Sequence, residues 1–274
     1  MTEAGRWRRN LEKAGDSAAS GAAAKTQRAD RLLVERGLFE SRARAQAAIA
    51  AGLVTADRRT VARPSDLLAT DARIEASEPF PWVSRGGVKL AAALDAAHVD
   101  VKGRVTLDVG ASTGGFTDVL LARGAKRVYA VDVGRDQLHP RLRARPEVIS
   151  LEGSDIRALP EGAIPEPVGI VTIDVSFIGL ALVLPAALAY AAPDAVLVAL
   201  VKPQFEVGRD RLSKGGIVRD PLARAGAVEA IRQELSRLGW QALEVLASPI
   251  AGGDGNEESL VIAAPAGRDV PSGA

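Results

Sequence analysis

The chain has no cysteine, two histidines, one methionine, and aromatics at only 4% of 274 residues. Without cysteine there can be no disulfide scaffold, thiolate metal site or cysteine nucleophile. The composition suits a reducing compartment and is read as cytoplasmic. With so few aromatics, Ala, Val and Leu must fill the interior. The 47% hydrophobic content is enough for a core spread over one and a half to two domains. A secretory leader is not expected, because Arg6, Arg8 and Arg9 are not followed by an apolar stretch. The nearly apolar stretch from Ile178 to Val201 is broken at Pro185 and at Pro193-Asp194. A membrane-spanning helix needs about 20 uninterrupted apolar residues. A crossover helix over about 179–191, followed by a buried strand, fits the breakers better.

Net charge is only +1, but it is unevenly placed. Residues 1–82 carry 14 Lys and Arg against 11 Asp and Glu, and the remainder carries 21 against 23. The first part is therefore mildly basic, as a phosphate-contacting surface should be.

Residues 1–26 read as a disordered Ala/Gly/Ser-rich tail, and 267–274 as a second one. A first helix is expected over Arg28–Arg36, closed by Gly37, and a second from an N-cap at Ser41 to Ala51, closed by Gly52. Short strands follow at Leu53–Thr55, Arg59–Val61 and Arg73–Ala76, with a turn at Asp57-Arg58. Together they make a small α+β domain over 27–80. Pro79, Pro81 and Gly86-Gly87 mark 81–90 as an interdomain linker. Across 91–266, apolar strands alternate with helices. Strands are expected at 105–109, 127–133, 148–151, 168–174, 195–201, 242–247 and 259–263, and helices at 116–123 and 220–238. This pattern is α/β: a Rossmann-like, doubly wound, mostly parallel sheet.

The strand at 105–109 runs into Gly110-Ala-Ser-Thr-Gly-Gly115 and then a helix. Glycines at such a turn let the backbone approach a ligand closely. Asp132, at the end of the next strand, is placed to hold ribose hydroxyls. The glycines at 110, 114 and 115 do not have dinucleotide-binding spacing. Asp108 before the loop opposes a pyrophosphate and suits a cationic, phosphate-free ligand such as S-adenosylmethionine. An NAD-type site and an ordinary glycine turn stay open on this segment alone. Asp174 and Lys202 stand at the ends of later strands, on the same carboxyl edge as the loop.

Seven segments carry a resemblance: Arg28–Leu38, Trp82–Leu90, Leu107–Asp118, Val128–Gly134, Ile173–Phe177, Val201–Glu206 and Gly255–Glu258. Over about residues 27–265 the sequence resembles the TlyA, or haemolysin-A-like, family of ribosomal RNA methyltransferases, whose catalytic domain is similar to FtsJ-type ribose 2′-O-methyltransferases. The resemblance implies an N-terminal module like the RNA-binding fold named after the fourth protein of the small ribosomal subunit. It implies a catalytic set of Lys89, Asp174, Lys202 and Glu258. It implies a pocket for S-adenosylmethionine with Gly110, Ser112, Gly114, Phe116 and Thr117 around the methionine part, Asp132 on the ribose and Asp155 on the adenine side. It implies transfer to a cytidine 2′-hydroxyl in large-subunit ribosomal RNA, with small-subunit RNA as a second candidate. The chain departs from the family pattern at Arg135, where an aromatic is usual. Glu257 and Glu258 both offer a carboxylate, and the motif spacing favours Glu258.

A ribose hydroxyl is a weak acid. A lysine amine takes its proton only where burial or nearby cations favour the neutral amine. Lys202 is the expected acceptor, Lys89 the cation beside the developing alkoxide, and Asp174 and Glu258 the groups that orient them. Arg28, Arg31, Arg42, Arg44, Arg58 and Arg63 are the expected phosphate contacts. Arg85 would couple RNA docking to placement of Lys89. The partners are ribosomal RNA or ribosomal subunits, with no membrane. The rival readings are a non-enzymatic RNA-binding or ribosome-assembly factor, an NAD-type oxidoreductase and a membrane-lytic protein.

Overall fold

The structure is a computed structural model and describes residues 25–252 and 255–267. Most of both expected tails lies outside the described residues. Thr26, assigned to the first tail, instead opens a strand. The chain divides into two units between Pro79 and Phe80.

The first unit runs β1 (Thr26–Arg28), α1 (Ala29–Glu35), α2 (Arg42–Ala50), β2 (Val54–Ala56), β3 (Arg59–Thr60), β4 (Leu67–Ala69) and β5 (Ile74–Ala76). Ser41 caps α2, its hydroxyl accepting from the Arg44 N–H at 3.3 Å. The β2–β3 turn places Asp57 and Arg58 at φ 49° and 65°, the left-handed geometry that matches strand twist in a two-residue hairpin. β2 sits between β3 and β5, and β1 pairs with β4. The β1–β4 pair was not expected, since three-residue strands leave no readable alternation. Leu33, Phe39, Ala48, Ile49 and Val54 form this unit's core.

The second unit runs α3 (Gly86–Ala96), β6 (Val105–Val109), α4 (Gly115–Ala122), β7 (Arg127–Asp132), α5 (Pro140–Arg143), β8 (Val148–Glu152), β9 (Val168–Ile173), α6 (Leu184–Leu188), β10 (Ala191–Val201), α7 (Pro203–Glu206), α8 (Pro221–Arg237), β11 (Trp240–Ala247) and β12 (Ser259–Pro265). Its seven strands lie in the order β11-β12-β10-β9-β6-β7-β8. β12 is antiparallel to both neighbours, and the remaining pairs are parallel. Both sheet faces are covered. Leu197, Ala199 and Val201 pack on the side of α6 and α8, while Val198 and Leu200 pack on the side of α3 and α4. This two-residue alternation between two dry faces explains why the strand reads as a continuous apolar run.

Two expectations are corrected. Residues 86–90, read as the end of a linker, are the first turn of α3, with Lys89 and Leu90 buried. Gly87 is there for packing. A Cβ on Gly87 would lie 2.4 Å from the Trp82 side chain, and one on Gly115 would lie 3.0 Å from Gly87 N. The helix expected over 179–191 shrinks to a 3-10 turn at Leu180–Leu182 and the five-residue α6. Pro185 starts α6 instead of breaking it. β10 then begins early and shifts register between Ala191 and Val196, taking Pro193-Asp194 into the irregularity.

Candidate active site

β6 leads outward to β7 and β8, and the chain then returns to place β9 on the other side of β6. Ligands in such sheets bind where the order reverses, at the strands' carboxyl ends. Here those ends carry Gly110 and Asp174. They approach closely: the Asp174 N–H donates to Val109 C=O at 2.9 Å. A Cβ on Gly110, at φ 82°, would fall 2.4 Å from the Asp174 carbonyl oxygen. Any other residue would push the two strand ends apart.

A cleft of about 240 Å³ opens at this point. Gly110, Ser112 and Phe116 line one side, and Lys89, Asp174, Lys202 and Glu258 another. The four charged residues come from α3, the end of β9, the end of β10 and the start of β12. Lys89 Nζ donates to Glu258 Oε2 in a pair whose side chains are 6% and 2% exposed. Lys202 Nζ lies 2.7 Å from Asp174 Oδ1 and donates to Ser176 Oγ at 2.8 Å. Asp174 Oδ1 is buried and accepts no aligned hydrogen bond. Of the two candidate glutamates, Glu258 points into the cleft. Glu257 is 74% exposed and pairs with Arg224 at 3.0 Å.

The glycine-loop residues divide. Asp108 is fully buried and does not line the cleft. Its carboxylate accepts from Thr117 Oγ1 at 2.7 Å and Thr172 Oγ1 at 3.1 Å. Burial pushes this carboxyl up to about 7, against the pull of the two hydroxyls. Asp108 and Thr117 therefore brace the loop from beneath and do not line the cleft. Gly114, at φ 94°, precedes α4, and a Cβ there would strike Leu142. Asp132 accepts from the Ser112 N–H at 2.8 Å and the Gly134 N–H at 2.7 Å. Each of its oxygens keeps a second lone pair for a hydroxyl. Asp155 caps a 3-10 turn and pairs with Arg157 at 2.6 Å, which lowers its carboxyl, and it is not among the residues lining the cleft.

The expected RNA contacts also divide. Arg28 and Arg42 both bond to Asp30, which is wholly buried and held well below the usual carboxylate range, first by Arg28. Arg44 pairs with Glu78, and Arg63 with Asp66. Arg31 and Arg58 are exposed. Arg85 lines the cleft and donates to Ala251 C=O at 3.3 Å.

Three residues were missed by the sequence reading. Ser176 holds Lys202. Buried Asn256 is bonded into a neighbouring loop. Phe177 is 92% exposed, has φ 65° and sets its ring against Phe205, with centroids 5.2 Å apart. A bulky residue in the left-handed region is strained, and such strain persists where the surroundings hold it. Ser176 and Phe177 both lie inside the Ile173–Phe177 motif, so the signal was the motif's length beyond Asp174.

The sheet order, the glycine loop at the switch point and the charged cleft define an S-adenosylmethionine-dependent methyltransferase fold. Residues 82–264 match the FtsJ-like methyltransferase family. The chain belongs to that family and, within it, to the TlyA group. It is 46% identical to the 16S/23S rRNA (cytidine-2′-O)-methyltransferase TlyA of Mycobacterium tuberculosis, over 86% of this chain and 88% of that protein. It is 43% identical to YqxC of Bacillus subtilis, provisionally named an rRNA methyltransferase, over 86% of this chain and 85% of that one. A solved structure from Streptococcus thermophilus, provisionally named a hemolysin, superposes with a TM-score of 0.70 at 38% identity, over 91% of this chain and 93% of that one.

Proposed function

We propose that this protein transfers a methyl group from S-adenosylmethionine to the ribose 2′-hydroxyl of a cytidine in ribosomal RNA, of the large subunit first and the small subunit second. One observation carries the reading. Two lysine–carboxylate pairs from four separate elements converge beside a glycine loop at the sheet's switch point.

The residues fit the cofactor. The stretch 110–117 contains no cation for a phosphate, and Asp132 has lone pairs to spare for ribose hydroxyls. Gly110, Ser112 and Phe116 would hold the methionine part, and Asp132 the ribose. Bound S-adenosylmethionine supplies a methyl already activated on sulfonium, so the protein's task is alignment and one proton transfer. Lys202, held by Asp174 and Ser176, first releases a proton to solvent and then, as the neutral amine, takes the hydroxyl proton. Lys89, steadied by Glu258, sets positive charge beside the oxygen as it becomes nucleophilic. Phe177 offers an exposed ring face on which a base can stack. Arg31 and Arg58 of the first unit would contact phosphate, and that unit is the RNA-binding domain in this reading. No described helix is long and apolar enough to cross a membrane. The working place is with ribosomal subunits in the cytoplasm.

The test is incubation of the protein and its Lys202→Ala variant with tritiated S-adenosylmethionine and subunits lacking the modification, followed by nuclease mapping. Label on a ribose 2′-oxygen that the variant loses is the expected result. Cofactor binding without label on any RNA would favour an assembly factor. Binding of labelled NAD in place of S-adenosylmethionine would favour an oxidoreductase.

A further inference from the structure

The segment between α7 and α8 carries Arg209, Arg211, Lys214 and Arg219, all exposed, against Asp210 alone over residues 208–219. None of the four side chains has an ion-pair or hydrogen-bond partner among the described residues. This is unusual for the second unit. Of its twelve other described arginines, ten lie within ion-pair distance of a carboxylate. The surface of this unit neutralises its arginines nearly everywhere except on this loop.

The loop is also held in a set shape. Ser213 closes it on Ile217, through N–H and Oγ donors 2.9 and 2.7 Å from the Ile217 carbonyl oxygen. Asn256 fastens its base from one side. The wholly buried amide accepts from the Val218 N–H at 2.9 Å and donates to Gly216 C=O at 3.0 Å. Arg224 of α8 fastens it from the other, donating to the carbonyls of Val218 and Arg219 at 3.1 and 3.0 Å. The anchoring points matter. The chain enters this segment from Lys202 by way of α7. Asn256 stands two residues before Glu258, and Val201 and Ser259 are paired partners on adjacent strands. The loop is thus stitched to the two strand ends that present Lys202 and Glu258.

We propose that the loop Gly208–Arg219 is a phosphate clamp. Arg209, Arg211, Lys214 and Arg219 bind the RNA backbone flanking the target nucleotide, and Asn256 is the positioning residue that seats them. The proposal rests on the RNA methyltransferase reading. Phosphate contacts of this kind set register without reading sequence, and each one neutralised contributes to the salt dependence of binding.

The experiment uses the full chain with Arg209→Gln, Arg211→Gln, Lys214→Gln and Arg219→Gln combined, and Arg232→Gln with Arg237→Gln as a control on α8. Affinity for S-adenosylhomocysteine, thermal stability, binding of ribosomal RNA across salt, and methyl-transfer KM and kcat are measured together. The expected result is unchanged cofactor affinity and melting, RNA affinity weakened at least about tenfold, and a log–log salt slope flatter by about 3. KM should rise with kcat nearly kept, and Asn256→Ala should show a smaller loss of the same kind. RNA affinity and salt slope equal to the parent's would overturn the clamp. So would a variant that binds RNA normally but no longer binds an acidic protein partner. If the parent methylates no RNA, the methyltransferase reading fails by itself, and the binding curves still decide the clamp.

Discussion

Removing one partner of the Lys89–Glu258 pair separates its part in stability from its part in chemistry. The pair joins the first turn of α3 to the start of β12 and is almost entirely withdrawn from water. Glu258→Ala leaves a buried ammonium with no counter-charge. Breaking a buried pair from one side costs about 3–5 kcal/mol. In a unit of this size 1 kcal/mol moves Tm by about 2–4 °C, so Tm should fall by roughly 10 °C. The double variant Lys89→Met with Glu258→Leu removes both charges and roughly keeps the volume. Such replacements are commonly neutral or stabilising, so it should unfold within about 1 kcal/mol of the parent. It should nevertheless transfer no methyl group. The assay is urea unfolding of the parent, Glu258→Ala and the double variant, each run beside a methyl-transfer measurement on the same preparation. A loss below about 1 kcal/mol in Glu258→Ala would mean the pair is solvated and the burial argument wrong. Full activity in the double variant would make the pair purely structural and remove Lys89 and Glu258 from the catalytic set.

Asp108 makes a pH prediction of definite sign. Its carboxyl titrates near 7 in the folded chain, above the unfolded carboxylate value, so the native state holds the extra proton between about pH 4 and 7. Stability should fall across that window by a few kcal/mol and level off above it. Asp108→Asn should flatten the fall, and unfolding midpoints at pH 5 and 8 that shift equally in parent and variant would refute the assignment. Phe177→Ala should leave melting and S-adenosylhomocysteine affinity unchanged, because the ring is exposed. A base stack worth about 1–3 kcal/mol predicts a loss of roughly 5- to 100-fold in kcat/KM for RNA. Unchanged kcat/KM would remove the residue from substrate binding.

Strands β10 and β12 were legible because each carries a continuous apolar run, and the glycine loop because its conformational demand is local. What was illegible depended on partners far away in the chain. Gly86-Gly87 looks like a linker until Trp82 and Gly115 are seen against it, since glycine marks both a flexible joint and a close approach. Arg28 and Arg42 look like phosphate ligands until Asp30 is seen buried beneath them. Exposed and engaged arginines have the same one-letter signature.

Asp108 shows the difference most sharply. Its place before the loop suggested a residue facing a cation. In a strand, however, successive side chains alternate faces, and Leu107 and Val109 already take the side of α6 and α8. Asp108 must then share the other face with Thr106, toward α4, where Thr117 lies in the first helical turn after the loop. The alternation was present in Val105–Val109 and outranked the electrostatic argument. A charge next to a ligand loop does not show which way its side chain points, whereas strand parity does. Position along the strand, not parity, separates Asp174 and Lys202 from Asp108. Both stand one residue past the end of their strands, at Ile173 and Val201, where the sheet no longer dictates a face and a charged side chain can turn into the cleft.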